Sequence, residues 1–302
     1  MRLYLGVDGG QSGTTAVIGG ETGRILGTGE GGPCNHAAAA DGRAKLERAI
    51  NQSVAAACAE AQLDFNSIEF EAACFGMSGG PEDKEAILKR LLRARRLVVT
   101  TDAEVALAGA TTNGCGIIVI AGTGSIAFGR NPSGKKARAG GWGYIFDDEG
   151  GAFDIVRQSL RAALRMEEGW GPPTALHEVL LEATAASTAN DALHWFYGPD
   201  WPRQRVAALA PLVDRCARDG DGVATAVLTR AAQELAGLAA AVRIQLWSAG
   251  DSVEVAYIGG VFESDIVRER FRMLVELETG NRSGPPKRGP AEGALLEAIR
   301  VV

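Results

Sequence analysis

Twice in this chain an apolar strand runs into a glycine turn that carries hydroxyl side chains and returns at once as a second strand. The first copy is Leu3–Val7, then Asp8-Gly9-Gly10-Gln11-Ser12-Gly13-Thr14-Thr15, then Ala16–Gly19. The second is Ile117–Ile120, then Ala121-Gly122-Thr123-Gly124-Ser125, then Ile126-Ala127-Phe128. Short apolar runs broken by glycine read as buried strands joined by tight turns. A turn of that composition can aim backbone N–H groups and hydroxyls at one anion. It is not the Walker loop, which needs Gly-Lys-Ser/Thr opening a helix. Two copies of one uncommon design, roughly a hundred residues apart, point to a domain built twice.

The 302 residues allow two domains, each with its own core. A net charge of −6 argues against nucleic acid or an anionic membrane surface as the main partner, without excluding phosphate held by backbone amides. Cys34, Cys58, Cys74, Cys115 and Cys216 are widely spaced and form no Cys-x-x-Cys pair. That pattern fits reduced thiols better than a disulfide framework or a zinc site. No apolar run approaches the roughly 18–20 residues of a membrane span, so a cytoplasmic protein is expected.

After a third strand at Arg24–Gly29, residues 41–63 show helical spacing behind Asp41 as an N-cap. Glu71–Met77 reads as a buried strand ending at Ser78-Gly79-Gly80, and Pro81 opens a helix over Glu82–Leu92. Arg90, Arg93, Arg95 and Arg96 read as a solvated helix end. Leu97–Thr100 is a strand that delivers Thr101 and Asp102 at its C-terminal edge, where α/β sheets meet ligands. Residues 152–247 are mostly helical, Val253–Ile258 is a strand ending at Gly259-Gly260, a helix starts near Ser264, and Gly280–Pro290 is a polar segment before a last helix at Ala291–Ile299.

The turns at Asp8–Thr14, Ala121–Ser125 and Tyr257–Val261 resemble the phosphate-1, phosphate-2 and adenosine motifs of the sugar kinase, Hsp70 and actin superfamily. Together with Asn35-His36, Met77-Ser78-Gly79-Gly80, Thr100-Thr101-Asp102-Ala103, Gly140-Gly141-Trp142-Gly143 and Asp148-Glu149-Gly150, they make the chain similar to the N-acetylglucosamine kinases of the BadF/BadG/BcrA/BcrD ATPase family. The resemblance implies an α/β protein with a two-domain actin-like ATPase (ribonuclease H-like) fold, duplicated mixed sheets with flanking helices, and an interdomain cleft. The domains would be 1–114 with 289–302, and 115–288.

The implied activity is transfer of the γ-phosphoryl group of ATP, with Mg²⁺, to an amino sugar, N-acetylglucosamine first, at its 6-hydroxyl. Glucosamine and N-acetylmuramic acid stay open as substrates, and an ATP-driven activator is the rival from another class. The cysteines lack the arrangement by which the dehydratase activators of the family hold an iron–sulfur cluster. Asp102 is the implied general base, although its place before Ala103 also suits a helix N-cap.

Ser12, Gly13 and Thr14 from the first turn, and Gly122, Thr123, Gly124 with Ser125 from the second, would face the phosphates. Asp8 would anchor Mg²⁺ through water. Gly259 and Gly260 would let adenine and ribose approach the backbone, and Ala208 would line the adenine pocket; the family often has a hydroxyl where Gly260 stands. Asn35, Asp102, Gly140, Gly141 and Asp148 are the implied sugar ligands. Trp142 is an apolar wall or a core residue, Asp147 and Glu149 are not both ligands, and His36 orients its loop. His177 and His194 fall in the helical region with surface or core roles. A homodimer is the assembly such kinases suggest.

Overall fold

A computed structural model describes residues 2–10, 13–34, 41–78 and 84–302. The chain divides into two compact units, residues 1–116 with 286–302, and residues 117–285.

In the first unit, β1 (Tyr4–Gly9), β2 (Thr14–Gly19), β3 (Ile25–Gly31), β4 (Phe70–Met77) and β5 (Ala94–Thr101) form one sheet in the order β3-β2-β1-β4-β5. β1 pairs antiparallel with β2 and parallel with β4, and β4 pairs parallel with β5. Side chains alternate between faces along a strand, so one strand serves two cores. Leu5 and Val7 of β1 pack with Leu46, Ile50 and Val54 of α1 (Gly42–Glu60), whereas Tyr4 packs on the other face with Val105 of α3 (Asp102–Ala110) and Leu295 of α11 (Pro290–Arg300). Each such fully buried aliphatic side chain contributes about 2 kcal/mol. The alternation Gly27-Thr28-Gly29-Glu30-Gly31 lets α1 lie directly on β3: a methyl group on Gly29 would fall within 2.8 Å of Ala56 Cβ and closer still to the backbone of Ser53.

In the second unit, β6 (Gly116–Ala121), β7 (Ser125–Arg130), β8 (Lys136–Gly140), β9 (Val253–Ile258) and β10 (Asn281–Gly284) form a sheet in the order β10-β9-β6-β7-β8. Read from β8, the sheet repeats the first unit: third, second, first, fourth, fifth strand of the unit. β7–β8 is antiparallel and β6–β9–β10 parallel. The duplicated design visible in the two glycine turns is thus a duplicated topology. Between β8 and β9 lie α4 (Ala152–Glu167), α5 (Leu176–Thr184), α6 (Ala189–Phe196), α7 (Arg203–Ala207), α8 (Ala210–Arg218) and α9 (Gly222–Leu246). The core joins Ile117, Val119 and Val255 of the sheet to Leu228, Leu235 and Val242 of α9 and Phe271 of α10 (Asp265–Glu276).

Several sequence expectations need correction. Asp41 has a left-handed backbone, with φ of 60°, and its side chain does not cap α1. The helix expected over Glu82–Leu92 is α2, Glu85–Leu91, and Pro81 lies outside the described residues. Arg95 and Arg96 are not on a helix end: β5 starts at Ala94, and Arg95 pairs across the sheet with Glu69 and Glu71. The polar segment Gly280–Pro290 holds a strand, β10, and a further strand that the sequence reading did not assign, β8, precedes Gly141. Among the described residues no helix is long and apolar enough to cross a membrane.

Candidate functional site

In the first unit the chemistry gathers at the C-terminal ends of β1, β4 and β5. Asp8 is the penultimate residue of β1, and in the register of the sheet it lies beside Gly76 of β4, which in turn lies beside Thr100 of β5. Asp102 follows β5 as the first residue of α3. The N-cap is Thr101, whose hydroxyl accepts from Glu104 N at 3.3 Å, so Asp102 is released from capping. Its Oδ2 accepts the Ser78 hydroxyl at 2.8 Å and its Oδ1 the Ala103 N–H at 2.8 Å. Burial, reinforced by the charge of Asp102, pushes the Asp8 carboxyl up from 3.8 to about 6. The charge of Asp102 thus bears directly on the Asp8 carboxyl at this edge of the sheet.

The first glycine turn closes on itself. Gly10 N–H donates to Gly13 O at 2.9 Å, and Cys34 N–H donates to Gly10 O at 3.0 Å. Thr14 is fully buried, and its hydroxyl donates to Gly32 O at 2.8 Å with Cys34 Sγ at 3.1 Å. The Thr14 side chain thus serves the turn itself, which leaves backbone as what this residue can offer a phosphate. Burial also raises the Cys34 thiol above its ordinary range. Ser12, Asn35 and His36 lie outside the described residues, as do Gly79 and Gly80.

In the second unit a cavity of about 550 Å³ opens between the glycine turn after β6, the start of α4, helix α8 and the 3₁₀ turn at Gly260–Glu263. Gly122, Ala208 and Gly260 all line it, with Ile155, Pro211, Leu228 and Val261 as apolar walls and Asp214, Arg215, Arg218 and Glu263 as charged ones. Asp214 and Arg218 pair at 2.5 Å across one turn of α8. A volume in this range suits one organic ligand of nucleoside size. Gly259 has φ of 114°, and a Cβ there would fall within 2.6 Å of the Ala121 carbonyl carbon, so only glycine fits. A Cβ on Gly260 would meet nothing within 4 Å.

The turn at Gly122–Ser125 is tied to α4 by Ala152 N–H donating to Gly122 O at 2.8 Å and Phe153 N–H donating to Thr123 O at 3.1 Å. Asp148 stands against this turn. It has φ of 71°, is buried, and accepts the Ser125 N–H at 3.1 Å. Its other oxygen receives Arg203. Gly140 and Gly141, both with positive φ, end β8 and begin the loop that carries Asp148. Trp142 is not a core residue: it is 70% exposed, with the Arg138 guanidinium 4.3 Å from its ring centre. Asp147 closes the loop by accepting Trp142 N–H at 3.1 Å, and Glu149 contributes its carbonyl to Ser125 Oγ at 2.6 Å. His177 bonds Glu167 at 2.9 Å, and His194 sits in the last turn of α6, both apart from these groups.

Sequence reasoning missed Arg203, the pairing of Ser78 with Asp102, and the charged cavity wall. Asp214, Arg215 and Arg218 do share the spacing of one helix face, which was a usable signal. Arg203 carried none.

Two five-stranded sheets of repeated topology, each with a glycine turn after its first strand, define a two-domain actin-like ATPase fold. The chain belongs to the BadF/BadG/BcrA/BcrD ATPase family, whose pattern it matches over residues 5–298. It is 31% identical to an N-acetylmuramic acid/N-acetylglucosamine kinase of Clostridium acetobutylicum, covering 92% of this chain and 91% of that one. It is 29% identical to an N-acetyl-D-glucosamine kinase of Dictyostelium discoideum, covering 97% and 98%. A solved structure from Chromobacterium violaceum, described as a proposed N-acetylglucosamine kinase, matches with a TM-score of 0.78 and 27% identity over 99% of each chain.

Proposed function

We propose that the protein is an ATP-dependent amino-sugar kinase that phosphorylates N-acetylglucosamine at its 6-hydroxyl, with Asp102 as the general base. The observation that carries the reading is the Asp102 carboxylate, freed from capping and oriented by Ser78 at the C-terminal edge of β5. A sugar hydroxyl must lose a proton as it attacks phosphorus, and a fixed carboxylate can take it. The Ser78 hydroxyl and the Ala103 N–H hold one oxygen each and leave acceptor directions for the substrate.

Phosphoryl transfer otherwise needs positioning and charge neutralisation. In this reading the cavity at Ala208 and Gly260 takes the nucleoside, and backbone of Gly122–Gly124 and of Gly13–Thr14 takes phosphate oxygens together with Ser12. Asn35, Gly140, Gly141 and Asp148 bind the sugar. Among the described residues no group of three or more His, Cys, Asp or Glu stands together as a metal cage. The elevated carboxyl of Asp8, with the Asp102 charge bearing on it, suits a cation that keeps most of its own water, as Mg²⁺ does. Bound there, Mg²⁺ would neutralise triphosphate charge.

N-acetylmuramic acid is the second substrate to test, because the Clostridium acetobutylicum relative carries that sugar in its name. The test is ADP release with glucosamine, N-acetylglucosamine, N-acetylmuramic acid, N-acetylmannosamine and glucose. Sugar-dependent release, fastest with an N-acetylated amino sugar, supports the reading. Sugar-independent hydrolysis without a phosphosugar would replace it with an ATP-driven activator.

A further inference from the structure

Arg203 has no place in the assignments above, yet its side chain meets Asp148, Tyr144, Phe153 and the Gly122–Ser125 turn. It is the first residue of α7, directly after Pro202, whose fixed φ of −61° opens the helix as N-cap. From there the guanidinium reaches the Asp148 carboxylate: Nη2 donates to Oδ2, while Ser125 N–H holds Oδ1. Its flat face lies 5.4 Å from the ring centre of Tyr144 and 5.9 Å from that of Phe153, and these two rings meet edge to face at 5.2 Å. Tyr144 belongs to the loop after Gly140-Gly141, and Phe153 to the start of α4. The packing extends to the phosphate-binding turn. A methyl group on Gly124 would collide with Arg203 Nη2 and lie 2.5 Å from the Asp148 carboxyl, so turn, carboxylate and guanidinium are in van der Waals contact.

Physical chemistry gives this contact a purpose. The side chain of Asp148 is 8% exposed and sits on a backbone with φ of 71°, a left-handed conformation that costs a non-glycine residue free energy, though aspartate less than most. A carboxylate that buried needs a paired charge and satisfied hydrogen bonds. Arg203 supplies the charge, and the aromatic rings fix its direction. A carboxylate has about four acceptor directions, of which Ser125 and Arg203 use two. The others remain for hydroxyl donors. Ala207, the last residue of the same helix, and Ala208, its C-cap, line the cavity, so one short helix joins the carboxylate to the cavity wall.

We infer that Arg203 is the positioning residue that holds Asp148 ready for the sugar and locks the sugar loop to the Gly122–Ser125 turn. The inference rests on the reading of Asp148 as a sugar ligand, and it adds a residue that no motif marks. A lysine would keep the charge but not the planar fork or the stacking, so it is not an equivalent substitute.

The test is steady-state kinetics of Arg203→Met, Arg203→Lys, Asp148→Asn and the double variant Arg203→Met/Asp148→Asn, with KM measured separately for N-acetylglucosamine and MgATP. A hydrogen bond to a charged group corresponds to about a 10- to 100-fold effect. Arg203→Met is therefore expected to raise the sugar KM by about that factor while the ATP KM moves less than about threefold. Arg203→Lys should recover part of the loss. The double variant should be no worse than the poorer single one, since both remove the same interaction. Should Arg203→Met fail to fold, the Lys variant carries the comparison: an unchanged sugar KM there overturns the assignment, and a selective rise supports it. A sugar KM that rises in Asp148→Asn but stays at the wild-type value in Arg203→Met refutes the role of Arg203 alone. A sugar KM unchanged in Asp148→Asn refutes the underlying reading of the sugar loop. Equal loss in both KM values would make Arg203 a general scaffold residue and overturn the proposal.

Discussion

Replacing Asp8 by asparagine is expected to stabilise the protein at neutral pH while abolishing its chemistry. The carboxyl titrates near 6 in the folded chain against 3.8 ordinarily, because burial and the Asp102 charge both disfavour the anion. At 1.36 kcal/mol per pH unit this difference corresponds to about 3 kcal/mol of folding free energy lost when Asp8 is ionised. The direction follows from the raised value. Below 3.8 the group is protonated in both states and costs nothing. Between 3.8 and about 6 the folded state keeps a proton that the unfolded state has released, so wild-type stability falls as pH rises. Above about 6 the full cost is present and constant. Asparagine has no such charge, so in EDTA its advantage over wild type should be about 1 kcal/mol at pH 4.5 and reach about 3 kcal/mol by pH 8 in urea titrations. Adding Mg²⁺ at pH 8 should stabilise wild type and leave Asp8→Asn unchanged, by mass action on the folded state. An Asp8→Asn curve parallel to wild type from pH 4.5 to 8 would refute the buried-carboxylate argument. A Mg²⁺ response equal in both proteins would refute the metal role.

Other predictions separate the parts of the site. Asp102→Asn should retain sugar binding by calorimetry while turnover drops about 10²- to 10⁴-fold, whereas Ser78→Ala, which removes only one partner of that carboxylate, should cost about tenfold. Gly259→Ala should lose several kcal/mol of stability in chemical melts, because φ of 114° and the Ala121 carbonyl both reject a Cβ. Gly260→Ser, by contrast, meets open space and should leave the melt within about 0.5 kcal/mol while lowering the ATP KM modestly if its hydroxyl finds the nucleotide. Ala208→Leu should fill part of the 550 Å³ cavity and raise the ATP KM about tenfold or more with the sugar KM unaffected.

How far the sequence could be read depended on where each element sits in its sheet. Central strands announce themselves, since Leu5, Val7, Ile117 and Val119 are buried and appear as apolar runs between glycine turns. The strands misread were at sheet edges. β8 and β10 flank the second sheet and carry Lys136, Arg138, Asn281 and Arg282, while β5, at the edge of the first, carries Arg95 and Arg96 directly after its first residue, Ala94. Edges face solvent and are kept charged, so hydrophobic patterning is weakest there. The site divides in the same way. Residues fixed by turn chemistry, such as Gly259 and the Asp8 strand end, were legible because backbone conformation limits the residue type. Thr14 was legible as part of its turn but not in orientation, since its hydroxyl bonds Gly32. Arg203 lies 55 residues from Asp148 and is brought to it by α4–α7 packing alone, a contact that neither periodicity nor a motif encodes.

The most direct measurement of the central claim is product analysis. Purified protein, MgATP and N-acetylglucosamine would be incubated and the sugar followed by mass spectrometry and ³¹P-coupled NMR. The account predicts one phosphate gained per sugar with equimolar ADP, phosphorus coupled to the C6 protons, and no product from Asp102→Asn on the same timescale. Phosphate released as free inorganic phosphate with the sugar unmodified, or a phosphosugar formed equally well by Asp102→Asn, would contradict it.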